Sequence, residues 1–102
     1  MKFTIKSKER ENISTLSRKI GYQYLGQDKE RKEISFIRPI GGGRYPRFHL
    51  YLKSELNVEE LLFNLHLDQK KPVYEGATAH SGEYESDLVK QEAERITRIL
   101  QE

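Results

Sequence analysis

The strongest pattern in the chain is a strict alternation of apolar and polar residues in two central segments. The apolar positions are Phe48, Leu50 and Leu52 in the first segment, and Leu61, Phe63, Leu65 and Leu67 in the second. Alternation of this kind predicts strands that bury one side and leave the other side polar. Because a short polar connection joins the two segments, we predict an antiparallel hairpin.

Two other segments carry apolar residues at the spacing of a helix. Residues 8–20 repeat them at intervals of three and four, with Ser7 as a candidate N-cap and Gly21 where a C-terminal glycine is favoured. Residues 84–101 have a second apolar stripe, with Ser81 or Ser86 as a candidate cap. The stripe consists of Val89, Ala93, Ile96 and Leu100. We therefore predict one helix near each end of the chain.

The remaining apolar residues predict shorter strands. Residues 2–6 alternate, which indicates a strand at or near a sheet edge, and residues 22–25 and 34–37 look extended, with Pro39 ending the second. Residues 40–46 and 69–82 read as loops. The fold class predicted is α+β: a single antiparallel meander sheet of four to five strands, with two helices packed on one face. Residues 1–102 are expected to form a single domain.

Composition places the chain in a broad class. Hydrophobic residues make up 35% and charged residues 33% of the 102 positions, and the apolar residues fall in periodic runs that favour folding. The chain has no cysteine, which excludes disulfides, thiolate metal sites and a cysteine nucleophile. No apolar leader or membrane-spanning run is present, so we expect a cytoplasmic protein without a membrane partner.

The net charge of +2 conceals an uneven distribution. Residues 1–53 carry a formal charge of +8, whereas the remaining residues carry −6. This division indicates either a positively charged surface that contacts nucleic acid or two parts of the chain that attract each other.

The loop at residues 40–46 is the first candidate site, and we call it the Gly-Arg-Tyr loop. Glycine allows backbone amides to approach phosphate, arginine supplies paired donors, and tyrosine offers a stacking surface for a base. The leading hypothesis is a binding domain that holds a nucleic acid or another phosphate-bearing ligand with this loop and the polar side of the sheet. The candidate ligand-binding residues are Arg38, Gly42, Gly43, Arg44, Tyr45, Arg47 and Tyr51.

The histidines provide an alternative hypothesis. Alternation brings His49 and His66 to the polar side of the sheet as neighbours, and Asp68 points the same way as His66, so that it could ligate the same metal or orient the imidazole. His80, on the predicted loop, could add a third nitrogen donor. A small hydrolase that uses a divalent metal such as zinc would then employ His49, His66, Asp68 and His80.

A protein-interaction domain without a ligand is a third hypothesis. The sequence does not decide among the three, nor whether the chain is an enzyme, and it leaves the oligomeric state open.

Overall fold

The computed structural model describes residues 1–6, 12–53, 60–69 and 78–101, and of residues 78–86 it describes the backbone alone. Five strands and two helices lie in these ranges. In chain order they are β1 (Lys2–Lys6), α1 (Ile13–Ile20), β2 (Gln23–Asp28), β3 (Glu33–Pro39), β4 (Arg47–Lys53), β5 (Glu60–Asp68) and α2 (Thr78–Leu100). The predicted α+β class is confirmed.

The strands form one antiparallel sheet in the order β1-β5-β4-β3-β2. From β2 to β5 each strand pairs with the next one along the chain, as a meander does. The first strand instead joins the far edge beside β5, with Phe3 opposite Phe63 and their rings stacked 5.3 Å apart. The prediction that residues 2–6 form a strand at or near a sheet edge is therefore correct.

Helix α1 has clear signals at both ends. The side chain of Asn12 accepts a hydrogen bond from the Thr15 amide, which satisfies one of the free amides of the first turn. At the other end Gly21 has φ 80°, and its amide donates to the carbonyl of Arg18. The predicted cap Ser7 is outside the described residues, and the cap of the described helix is Asn12.

The core is a single cluster to which all five strands or their flanking residues and both helices contribute. Leu50, Leu65 and Phe36 are fully buried in the centre of the sheet, and Ile20 and Ile96 bring α1 and α2 into the same cluster. Burying these side chains removes apolar surface from water, which provides the main driving force for folding.

Two element boundaries differ from the sequence prediction. Strand β2 continues to Asp28, through residues expected to form a turn, and contains a bulge between Tyr24 and Gly26. Helix α2 begins at Thr78, inside the predicted loop, so Ser81 and Ser86 are within the helix and cannot cap it.

Among the described helices, none is long and apolar enough to cross a membrane.

Candidate ligand-binding face

The pairing of β4 with β5 determines which polar side chains are neighbours. His49 is directly opposite His66, Tyr51 is opposite Asn64, and the register is one of those that the alternation allows. The prediction that the two histidines are neighbours is thus confirmed. We call this surface the polar face; its residues on β4 and β5 are Arg47, His49, Tyr51, Asn64, His66 and Asp68.

Three aromatic rings are in contact at the centre of the polar face. The rings of His49 and Tyr51 are stacked, with centroids 4.3 Å apart, because residues two apart on a strand project from the same side. The ring of His66 meets Tyr51 edge-on at 5.7 Å. His66 is exposed, whereas the other two rings are half-buried. Partial burial raises the pKa of Tyr51 and lowers the pKa of His66, which the ammonium group of Met1 lowers further.

Asp68 joins this aromatic group to the end of the sheet. Its Oδ2 atom lies 2.8 Å from Nδ1 of His49 and accepts a hydrogen bond from Nε of Arg47 at 3.2 Å. The sequence suggested that Asp68 would orient His66, but its partner is His49 instead. The reason is the register, which sets Asp68 opposite Arg47 and diagonal to His49.

The contact with Asp68 determines which tautomer His49 adopts when its imidazole is neutral. With Nδ1 carrying the proton that faces the carboxylate, Nε2 keeps an unshared electron pair. Nε2 is buried and has no hydrogen-bond partner among the described residues. An aspartate and a histidine in this arrangement can form a general base, but within the described part of the chain no hydroxyl reaches Nε2 to serve as a nucleophile.

The Gly-Arg-Tyr loop connects β3 to β4 at the same end of the sheet as Asp68. The Ile40 amide donates to the Pro46 carbonyl at 3.0 Å and closes the loop. The guanidinium of Arg47 lies 4.6 Å from the centre of the Tyr45 ring, which is a cation–π contact. The two central glycines, Gly42 and Gly43, and Arg44 are exposed.

Arg38 is separated from the other candidate residues. It is paired with Phe48 on β4, so it projects from the core side of the sheet, opposite to Arg47. There it donates to both carboxylate oxygens of Glu92 at 3.3 Å. The structure thus places Tyr45 and Arg47 in contact and Tyr51 on the same face of the sheet, beside His49, but Arg38 on the opposite side.

Glu92 is the centre of a buried polar cluster that the sequence analysis missed. Its side chain is only 4% exposed, and it accepts hydrogen bonds from the Tyr22 hydroxyl at 2.7 Å and from Arg95 at 2.7 and 2.9 Å. Arg95 also donates to the Ile20 carbonyl at the end of α1. Burial, followed by the bond to Glu92, raises the pKa of Tyr22, and the bond to Glu92 raises the pKa of Arg95. The cluster therefore ties α2 to α1 and β3.

Two cavities of about 420 Å³ each lie along the polar face, and both are lined by Tyr51, Asn64 and Glu33. One, which we call the histidine cavity, is also lined by Arg31, His66 and Asp68. The other, which we call the lysine cavity, extends toward the β1 edge and is also lined by Lys2, Thr4, Lys53 and Leu62. Tyr51 therefore stands between two concave surfaces.

Only some of the residues proposed as metal ligands lie close together in the structure. His49 and His66 face each other and Asp68 contacts His49, yet no group of three or more potential metal-ligating side chains forms within the described residues. His80 lies in helix α2 and not on a loop, and its side chain is outside the described part of the structure. These observations give the metal hypothesis no support.

Comparisons of the chain with protein-family models, with curated proteins and with solved structures find no match.

Proposed function

We propose that the protein is a binding domain that holds a nucleic acid, or another phosphate-bearing ligand, on its polar face and Gly-Arg-Tyr loop. The observation that supports this proposal most strongly is the contact of three rings, His49, Tyr51 and His66, beside the arginine-bearing end of the sheet. Flat rings on a sheet stack with bases of any sequence, and arginine pairs with phosphate through two parallel hydrogen bonds.

The charge of the first half of the sequence favours the same ligand class. The strands and loops up to Lys53 belong to the part of the chain with a formal charge of +8. Asp68 is the main acidic group near the rings, and its carboxylate already faces Arg47 and His49. Its repulsion of a phosphate is therefore partly compensated.

Individual roles follow from position. Arg44 is exposed on the loop and contacts phosphate directly, while Arg47 lies over the Tyr45 ring at the same end of the sheet, where Asp68 competes with phosphate for its guanidinium. Tyr51 supplies the stacking surface. Arg38 has no direct role in this proposal, because its guanidinium bonds to Glu92 on the core side.

The test is fluorescence anisotropy of labelled single- and double-stranded DNA and RNA titrated with protein at low and near-physiological salt. We expect a dissociation constant of roughly 1–100 μM that weakens as salt rises, because phosphate contacts release counterions. The double variant Arg44→Gln/Arg47→Gln is expected to lose most of this affinity.

The matched control is Arg18→Gln/Arg98→Gln, which changes the net charge equally at exposed positions on the two helices. It is expected to weaken binding far less. Absence of binding at low salt, or equal losses in the two double variants, would contradict the proposal.

A further inference from the structure

The position of Tyr51 between two cavities carries information about the length of the ligand. Tyr51 is in the middle of a row across the sheet, opposite Asn64 on β5, and Lys2 is opposite Asn64 on β1. His66 and Asp68 of the histidine cavity lie on one side of this row and Thr4, Lys53 and Leu62 of the lysine cavity on the other, whereas Glu33 lines both cavities. A ligand that fills both cavities must pass over the boundary formed by the shared residues Tyr51, Asn64 and Glu33.

The distance between the cavities can be read from the strand that lines both of them. His66 lines one cavity and Leu62 the other, and they are four residues apart on β5. At ~3.3 Å per residue the two side chains are separated by about 13 Å. A single strand advances by at least ~3.4 Å per nucleotide, the rise of stacked bases, so about four nucleotides are enough to span this distance.

The two cavities also differ in chemistry. The histidine cavity presents the His66 imidazole and the Arg31 and Asp68 side chains, which can bond to the polar edge of an unpaired base. The lysine cavity combines Leu62, which is 44% exposed, with Lys2, Lys53 and Glu33, whose carboxylate lies 4.0 Å from the Lys53 ammonium group. An apolar wall under a base and ammonium groups near its phosphate suit a second nucleotide.

From this geometry we infer that the ligand is a single-stranded nucleic acid of about four nucleotides or more, with one base in each cavity and Tyr51 between them. The inference rests on the proposed function and narrows it. A duplex is excluded by this mode, because its bases are paired and stacked and cannot enter two separate cavities beside an intervening ring.

The test is calorimetric titration of the protein with single-stranded RNA and DNA of one, two, four and eight nucleotides, and with an eight-base-pair duplex. Affinity is expected to rise steeply up to about four nucleotides and then level off, and the single strand is expected to bind better than the duplex. Tyr51→Ala is expected to weaken tetranucleotide binding by about tenfold, which is the scale of one lost stacking contact.

Two further substitutions keep the result interpretable. Tyr51→Phe retains the ring and is expected to keep most of the affinity. Lys53→Gln removes a charge at an exposed position of the lysine cavity, and it is expected to weaken tetranucleotide binding more than mononucleotide binding. The control is Tyr24→Ala, which removes a 51% exposed tyrosine from the other edge of the sheet. It is expected to leave affinity unchanged.

The outcomes separate this inference from the function on which it rests. A mononucleotide that binds as tightly as the tetranucleotide, or a duplex that binds better than the single strand, would overturn the inference and leave the proposed function standing. Loss of affinity in Tyr24→Ala equal to that in Tyr51→Ala would also overturn it. Failure of every nucleic acid to bind at low salt would overturn both.

Discussion

Replacing Glu92 with glutamine should destabilise the fold strongly, because this carboxylate is shared by three partners in a buried position. Tyr22 donates to it at 2.7 Å, Arg95 donates at 2.7 and 2.9 Å, and Arg38 donates at 3.3 Å. Glutamine keeps the size of the side chain but removes the charge and turns an NH₂ group toward one of these donors.

The magnitude follows from burial. Removing one partner of a buried ion pair costs about 3–5 kcal/mol, and a single hydrogen bond to a charged group contributes about 1.5–3 kcal/mol. The side chains of Arg38 and Arg95 are 38% and 30% exposed, so water can hydrate them once Glu92 is neutralised. We therefore expect the low end of the range, about 3 kcal/mol, which corresponds to a fall in Tm of about 15 °C for a domain of this size.

The assay is urea denaturation followed by circular dichroism, with thermal denaturation as a second measurement. The control is Glu94→Gln, which removes the same charge from an exposed position on the same helix and should change the free energy of unfolding by less than about 0.5 kcal/mol. A loss below about 1 kcal/mol in Glu92→Gln would contradict this prediction. It would mean that the buried cluster does not stabilise the fold.

Three other predictions follow from single positions. Gly21→Ala should lower the free energy of unfolding by about 1 kcal/mol, because Gly21 has φ 80°. Gly26→Ala, where the added methyl group meets open space and φ is not positive, should lower the free energy of unfolding by less in the same urea titration. Asp68→Asn should raise affinity for single-stranded RNA by about fivefold in anisotropy titrations, because Arg47 loses a competing carboxylate interaction of about 1 kcal/mol; weaker binding would contradict this. The pKa of His66 is lowered in the folded state, so the protonated imidazole favours the unfolded chain. The free energy of unfolding should therefore fall as pH drops below about 6.5. In His66→Gln that part of the fall should be absent, and an unchanged pH profile would contradict the assignment.

Much of the sheet could be predicted because alternation is a local signal. The apolar positions of β4 and β5 specify both the strands and the side that each residue faces. The start of α2 could not be predicted in this way. The helix begins at Thr78, but residues 78–83 carry no apolar repeat. The apolar periodicity therefore begins several residues after the helix does.

The candidate site was only partly predictable. Alternation identified the polar face, but the partner of Asp68 depends on the register, and more than one register satisfied the pattern. Arg38 could have been assigned to the core side, because it continues the alternation of Ile34 and Phe36. Likewise Glu92 falls within the stripe that includes Val89 and is buried with it. An arginine and a glutamate on facing apolar surfaces are a signal for a buried ion pair.

Binding of the ligand on the polar face can be tested by an NMR titration of ¹⁵N-labelled protein with a single-stranded octanucleotide. We expect the shifted amides to be concentrated in the Gly-Arg-Tyr loop and in β4 and β5 around Tyr51 and His66, with α1 and α2 unaffected. Shifts concentrated on the two helices, or no shifts at low salt, would contradict it.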